Sequence, residues 1–234
     1  MIRVAAYNVC GVLDAGALVE VLRHLDADVV AAVEVPGRLG LRRIASRAGM
    51  DVAVHAGRRR LGAAVLVGER IRVVSASRHE LREAPGLPRR WVAQAIVGAG
   101  GVRFAVFAAQ LGLRPEVRER HAAELERVAA KVDAAVLLGV DLNEAAGGMV
   151  AARLGEVLQD AFAVAGQGPG DTYPNPHPIT RKDYVFVDRG LAVLRAWVPD
   201  LPAASVASHH RPVVAEIAEP VEQPTARRLR EDAA

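Results

Sequence analysis

Residues 207–214 read ASHHRPVV, two adjacent histidines followed by Arg-Pro and a short apolar run. The apolar run predicts a strand, and the histidines stand directly before it. A polar side chain at the end of a strand is held by a rigid element and can face a cleft. We therefore interpret His210 as a candidate catalytic base. His209 shares that site only if the segment is a loop, because neighbours on a strand point to opposite faces.

Other polar residues also lie at or just beyond the ends of apolar strands. The stretch Val29–Val35 is apolar except for Glu34. Burying an unpaired carboxylate costs several kcal/mol, so we expect Glu34 to have a cation, a donor or water as its partner. Strand ends on one rim of a sheet converge, and the polar groups there form sites. The residues concerned are Asn8, Glu34, Gln110, Asp141, Asn143, Asp183 and His210. Carboxylates, amide oxygens and one histidine suit a hard divalent cation such as Mg²⁺ or Mn²⁺ with a bound phosphate.

Hydrophobic periodicity predicts a chain of mixed strands and helices. Strands are expected at 2–9, 29–35, 52–54, 63–67, 71–77, 91–97, 102–109, 135–139, 183–187, 191–198 and 213–217. Helices are expected after Asp14 and at 39–48, 116–133 and 149–158. Consecutive strands between 52 and 109 indicate antiparallel neighbours. We expect residues 1–218 to form one domain and residues 219–234 a disordered tail, because the tail lacks apolar periodicity.

Composition narrows the class of protein. Apolar residues make up 51% of the 234 residues and charged residues 24%, which is typical of a soluble globular protein. No apolar run is long enough to span a membrane, and the sequence starts without a basic and apolar leader. Cys10 is the single cysteine, which excludes an internal disulfide framework. A cytoplasmic location is therefore expected. No obligate protein partner is evident.

The basic residues are almost all arginine. Lys131 and Lys182 are the only lysines, which leaves 28 arginines among the 30 basic residues, and the formal net charge is +3. Clusters at 58–60, 42–43, 89–90 and 114–120 could attract phosphates. Alternatively, a compositional bias towards Ala, Arg and Val places arginines on solvated faces.

Five motifs, in this order, resemble those of the endonuclease/exonuclease/phosphatase superfamily, which has the deoxyribonuclease-I-like fold. YNV at 7–9 looks like the opening strand of that family. ADVVAAVEV at 27–35 is similar to PDIVALQEV, and GVDLN at 139–143 is similar to GDFN. RKDYVFV at 181–187 resembles RIDYIFV, and SHHRPV at 208–213 resembles SDHRPV. The resemblance runs from residue 3 to about residue 217. It implies an α/β fold, a four-layer αββα sandwich of two mixed or antiparallel sheets.

The resemblance also implies a role for each matched residue. Glu34 would be the principal metal ligand, with Asp141 beside it, and His209 is a candidate ligand because it stands where the family has a metal-site or water-positioning aspartate. His210, oriented by Asp183, would assist attack by water. The remaining roles are alignment of that water by Asp141 and Asn143 and contacts to phosphate by Asn8, Gln110 and Asn143.

Three positions depart from the family pattern. Val33 stands where the family has glutamine. Gln110 replaces a histidine, and glutamine can donate a hydrogen bond but carries no proton near neutral pH. His209 replaces an aspartate, which favours a softer metal such as Mn²⁺, Zn²⁺ or Fe²⁺ if it is a ligand. His209 could also contact substrate or be an exposed bystander.

The sequence therefore predicts a divalent-metal-dependent phosphohydrolase, either a phosphodiesterase or nuclease or a phosphatase. Its substrate would be a phosphorylated small molecule or a nucleic acid. The alternative is a degenerate or repurposed member of the fold that acts as a binding protein or has altered chemistry, because Gln110 and His209 both depart from the pattern.

Overall fold

Two β-sheets form the centre of the computed structural model, which describes residues 1–57, 62–82 and 89–219. The first sheet contains β1 (Ile2–Asn8), β2 (Val29–Val35), β3 (Met50–Ala56), β4 (Gly62–Gly68), β10 (Gly166–Gln167), β12 (Val193–Trp197) and β13 (Val213–Ile217). Their order is β10-β12-β13-β1-β2-β4-β3. Pairs β1–β2 and β10–β12 are parallel and the others are antiparallel, so this sheet is mixed.

The second sheet has six strands. They are β5 (Arg72–Leu81), β6 (Arg90–Ala99), β7 (Val102–Gln110), β8 (Ala135–Asp141), β9 (Leu158–Asp160) and β11 (Asp183–Asp188). Their order is β5-β6-β7-β8-β11-β9, and only β7–β8 among these described pairs is parallel.

Helices cover the outer faces of both sheets. On the first sheet these are α1 (Ala15–Leu25), α2 (Arg38–Arg47) and α6 (Pro202–Ala207), and on the second they are α3 (Pro115–Ala129) and α4 (Met149–Val157). A short α5 (Ala161–Ala165) contributes Ala161 to the core between the sheets. The four-layer αββα sandwich predicted from the sequence is therefore confirmed.

Local sequence explains where the main helices begin. Asp14 accepts a hydrogen bond from the amide of Ala17 and caps α1, as its position predicts. Pro115 is the first residue of α3. This helix ends at Ala129 and not at residue 133 as predicted, because the amides of Lys131 and Val132 bond in tighter turns. No described helix has the length and apolar character needed to cross a membrane.

The two sheets approach each other closely beside Gly139, in the middle of β8. A Cβ atom at this position would lie 2.4 Å from the Cβ of Ala31 on β2 and 3.1 Å from the Cβ of Ala6 on β1. Small residues on both sheets therefore allow the close approach. Gly139 lies two residues before Asp141, so the approach also sets how near the polar ends of β1 and β8 come to each other.

The predicted tail starts at residue 219, and residues 220–234 lie outside the described part of the chain. The arginines at 58–60 lie outside it as well. Four short elements were not predicted, namely β9, β10, α5 and α6.

Candidate active site

Polar residues at the ends of three neighbouring strands form a row on the second sheet. Asp141 is the last residue of β8 and is paired with Gln110 at the end of parallel β7. On its other side, Asp141 is paired with Asp183 at the start of antiparallel β11. All three side chains are buried. The sheet register alone therefore brings two carboxylates and one amide together.

Glu34 reaches this row from the first sheet through an irregularity in β2. The pairing of β2 with β4 shifts register between Val33 and Val35, as in a β-bulge. Glu34 has a φ of 52°, a conformation that residues other than glycine rarely adopt. Its carbonyl oxygen accepts a hydrogen bond of 2.7 Å from the amide of Gly11. Bulges re-aim side chains next to active sites, and this one directs Glu34 towards the second sheet.

Two side-chain amides bridge Glu34 and Asp141. Nδ2 of Asn8 lies 2.9 Å from Oε1 of Glu34 and 2.9 Å from Oδ2 of Asp141. Nε2 of Gln110 lies 2.6 Å and 3.0 Å from the same two oxygens. Both carboxylate oxygens therefore accept two hydrogen bonds each. Asn8 and Gln110 were predicted to contact phosphate, and in the structure their NH₂ groups are bound to these carboxylates.

Backbone groups fix the orientation of the side-chain amides of Asn8 and Asn143. The amide of Cys10 donates to Oδ1 of Asn8 at 2.9 Å, so the NH₂ group of Asn8 faces the carboxylates. The side chain of Asn143 donates to the carbonyl of Leu111 at 3.0 Å, and its backbone amide donates to Oδ1 of Asp141 at 2.8 Å. Asn143 is partly exposed and has a φ of 53°. Its side-chain oxygen is thus the part left for a water or substrate.

His210 and Asp183 form a buried pair. Nδ1 of His210 lies 2.7 Å from Oδ2 of Asp183. Burial disfavours the charged imidazole, but the carboxylates of Asp183, Asp141 and Glu34 outweigh it and raise the pKa of His210 from 6.5 to about 9. Burial, and then the charge of Asp183, raises the pKa of the Asp141 carboxyl.

Ser208 connects the His210 segment to β1. Its hydroxyl donates to the carbonyl of Asn8 at 2.6 Å and accepts from the amide of His210 at 3.1 Å. Ser208 is fully buried. The contact joins the end of β1 to a loop about 200 residues away, so sequence reasoning assigned Ser208 only to a motif and not to this role.

The proline-rich loop between residues 166 and 181 supports the same segment. Asn175 donates from its backbone amide to the carbonyl of His209 and from its side chain to the carbonyl of Ser208. The ring of Tyr173 lies 4.8 Å from the His210 ring, centroid to centroid. The hydroxyl of Thr172 accepts from the amide of Asp183 at 3.2 Å. Sequence reasoning did not connect Tyr173, Thr172 and Asn175 with the site.

His209 and His210 lie in a loop before β13, and their side chains differ. His210 is buried, whereas the side chain of His209 is exposed. Among the described residues, the group of potential ligand atoms within 4.8 Å of one another comprises Asp141, Asp183 and His210, and both Glu34 and His209 are outside it. The predicted role of His209 as a metal ligand stays a prediction.

The residues at this edge fit a divalent cation. Carboxylate oxygens suit Mg²⁺ and Mn²⁺, and Glu34, Asp141 and Asp183 provide them. The pKa of the Asp141 carboxyl is raised first by burial and then by repulsion from the charge of Asp183. A cation would relieve that repulsion.

The chain resembles known proteins in both sequence and structure. The model of the Endonuclease/Exonuclease/phosphatase family matches residues 5–212. No curated protein sequence is significantly similar to this chain. A mannosyl-6-phosphatase from Bacteroides thetaiotaomicron superposes with a TM-score of 0.80 and 16% identity, covering 94% of this chain and 100% of that one.

Two further solved structures superpose over most of their length. The human Nocturnin catalytic domain, with a bound sulfate anion, has a TM-score of 0.75, 16% identity and coverage of 93% of each chain. D. rerio TDP2, in complex with a single-stranded DNA product, has a TM-score of 0.73, 16% identity and coverage of 93% of this chain and 99% of that one. At identities this low, structural similarity establishes the fold and not the substrate.

Proposed function

Since the chain belongs to the endonuclease/exonuclease/phosphatase family, we propose that it is a phosphohydrolase that requires Mg²⁺ or Mn²⁺ and cleaves a phosphoester by attack of water. The observation that carries the proposal is the buried His210–Asp183 pair, whose ligand atoms lie within 4.8 Å of Asp141. A paired imidazole beside clustered carboxylates provides both a proton acceptor and a place for a cation.

The cation would be held by Glu34 and Asp141, and it would supply positive charge that neutralises a phosphate oxygen. The NH₂ groups of Asn8 and Gln110 hold these two carboxylates in place. A displacement at phosphorus depends mainly on positioning and charge neutralisation, so this fixed arrangement suits the reaction.

His210 is proposed as the base. Asp183 accepts the hydrogen bond from Nδ1, which leaves Nε2 to take a proton from water. The carboxylate of Asp141 and the side-chain oxygen of Asn143 orient that water. In the metal-free state, the pKa of about 9 keeps His210 protonated at neutral pH. A cation bound beside Asp141 would lower the pKa of His210 again, because a nearby positive charge disfavours the imidazolium.

Hydrolysis of bis(p-nitrophenyl) phosphate tests the proposal. We expect turnover with Mg²⁺ or Mn²⁺, none in EDTA, and loss of activity in His210→Ala and in Glu34→Ala. His24→Ala removes an exposed histidine on α1 and should leave the rate unchanged. Activity that survives both site substitutions would refute the assignment.

The fold leaves two classes of substrate, nucleic acid and small phosphorylated molecules. Arg42 and Arg43 are exposed on α2, whereas Arg118 and Arg181 are paired with Glu144 and Asp160. If arginines bind duplex DNA, affinity should fall roughly 10³-fold between 50 and 200 mM salt for about six phosphate contacts. A flat salt response with turnover of p-nitrophenyl phosphate would favour a small substrate.

The second candidate function is binding without turnover. Gln110 and His209, which replace residues of the family pattern, favour it. In that case phosphate-containing ligands would bind the site, and no hydrolysis would occur with any divalent metal. Gln110→His combined with His209→Asp should then create activity if only these two residues are missing, and an inactive double variant would count against that explanation.

A further inference from the structure

Arg90, the first residue of β6, contacts the side chain of Gln110. An Nη1 atom of Arg90 donates a hydrogen bond to Oε1 of Gln110. A guanidinium group can only donate, so the atom it meets must be the carbonyl oxygen of the amide. The NH₂ group of Gln110 therefore points away from Arg90.

The other end of the Gln110 amide meets two acceptors. Nε2 lies 2.6 Å from Oε1 of Glu34 and 3.0 Å from Oδ2 of Asp141. Ionised carboxylates can only accept, so these contacts require the same orientation that Arg90 imposes. Only 7% of Gln110 is exposed. A flipped amide would face the guanidinium with its NH₂ group and the carboxylates with its oxygen, and every contact would be repulsive.

We propose that Arg90 is a positioning residue of the active site. It locks the Gln110 amide in one orientation, and Gln110 then holds Glu34 and Asp141 ready for a divalent cation. The inference rests on the proposed metal site and assigns it two supporting residues. A guanidinium stays charged and an amide stays neutral around neutral pH. Arg90 and Gln110 therefore hold the two carboxylates in the same way across this pH range, whereas a histidine at position 110 would change its charge.

A direct role of Arg90 in binding substrate phosphate is the main alternative, and the two roles differ in how they depend on Gln110. A positioning residue acts through Gln110, so removing Arg90 should have little effect once Gln110 is gone. If Arg90 only contacted substrate phosphate, its removal would leave metal binding without substrate unchanged in both backgrounds. Arg89 provides a matched control, because it is exposed, adjacent and paired with Glu80 at 3.2 Å.

Isothermal titration of the full chain with Mn²⁺, without substrate, separates these roles. Outer-shell partners typically contribute 10- to 100-fold to metal affinity. We expect Arg90→Ala and Gln110→Ala each to weaken Mn²⁺ binding about tenfold. The double variant should bind within about twofold of Gln110→Ala, because the two residues act as one unit. Arg89→Ala should match the wild type. Full additivity of the two substitutions, or no effect of Arg90→Ala, would overturn the proposal.

A second measurement works without metal. In EDTA, exchange of the Gln110 side-chain NH₂ protons with water, followed by ¹⁵N NMR, should be at least about tenfold faster in Arg90→Ala than in wild type. Arg90→Lys should restore part of the protection, since its ammonium can donate one hydrogen bond to the same oxygen. An unchanged exchange rate in Arg90→Ala would refute the proposal that Arg90 holds the Gln110 amide in one orientation. A wild type that fails to bind Mn²⁺ would refute the metal site, while this exchange measurement would still decide the role of Arg90.

Discussion

The imidazole of His210 and the carboxylate of Asp183 are joined by a 2.7 Å hydrogen bond between Nδ1 and Oδ2, with 7% and 1% of the two side chains exposed. Asp183 cannot donate when ionised, so Nδ1 carries the proton, and in the neutral ring Nε2 carries none. The pair thereby fixes the tautomer of the proposed base.

Substitution Asp183→Asn tests this control of the tautomer. An amide can offer either its oxygen or its NH₂ group to Nδ1, so the required tautomer is no longer enforced. We expect kcat for bis(p-nitrophenyl) phosphate to fall about 10²- to 10⁴-fold, with little change in KM. Asp133→Asn, at an exposed position, serves as the control and should leave both constants unchanged. A loss confined to KM would point to substrate binding instead.

The pKa of His210 predicts how the stability of the metal-free protein depends on pH. The folded state binds the proton more tightly than the unfolded state, since the pKa rises from 6.5 to about 9. This contribution is complete below pH 6.5 and is lost as the pH rises through about 9. Its size is roughly 3 kcal/mol. Urea unfolding in EDTA should therefore show that the stability difference between wild type and His210→Gln shrinks from pH 6 to pH 10. A difference that is constant over this range would contradict the prediction.

Substitution Ser208→Ala should lower both the stability of the protein and its rate of phosphoester hydrolysis. It leaves the carbonyl of Asn8 and the amide of His210 buried without their partner. We expect the free energy of unfolding to fall by about 1–3 kcal/mol. The comparison is Ser205→Ala, whose hydroxyl is exposed and bonds to the carbonyl of Pro202, and which should cost less. Equal losses in the free energy of unfolding would show that the buried hydrogen bonds of Ser208 stabilise the protein no more than the exposed one of Ser205.

Substitution Gly139→Ala should force the sheets apart. The new methyl would meet the Cβ of Ala31 at 2.4 Å, and overpacking of this kind typically costs about 1–3 kcal/mol. Activity should fall as well, because Asn8 and Asp141 bond across the same gap. Adding Ala31→Gly removes the clashing atom and should recover most of the stability and the activity. A double variant as weak as Gly139→Ala would show that the contact with Ala31 is not the cause.

The sequence predicted the strand ends well because local pattern and motif order agree there. Glu34 interrupts an apolar run, Asp141 ends one and Asp183 precedes one, and sheet register then places the two aspartates side by side. The four layers were implied by the resemblance to the family, and the predicted strands and helices agree with them. Most differences at element ends are small, such as the end of α3 at Ala129.

The supporting residues could not be predicted in the same way. Arg90 was noted only as part of the arginine cluster at 89–90, and its contact with Gln110 depends on how β6 lies beside β7. Ser208 and Asn175 act through backbone atoms of segments distant in sequence, and no local pattern marks such partners. The short α6 also depends on packing against α1, because six residues are too few for a helix that is stable alone.

The pairing of β1 with β13 has a consequence for the synthesis of the protein. Ile2 lies opposite Ile217, so the opening strand acquires one of its two neighbours only when nearly all described residues have been made. Contacts between such distant segments form slowly and late. A nascent or truncated chain that lacks residues 208–217 has neither His210 nor the strand that flanks β1. The proposed hydrolytic activity therefore arises only after translation has passed this point, and shortened products cannot cleave phosphoesters by this mechanism.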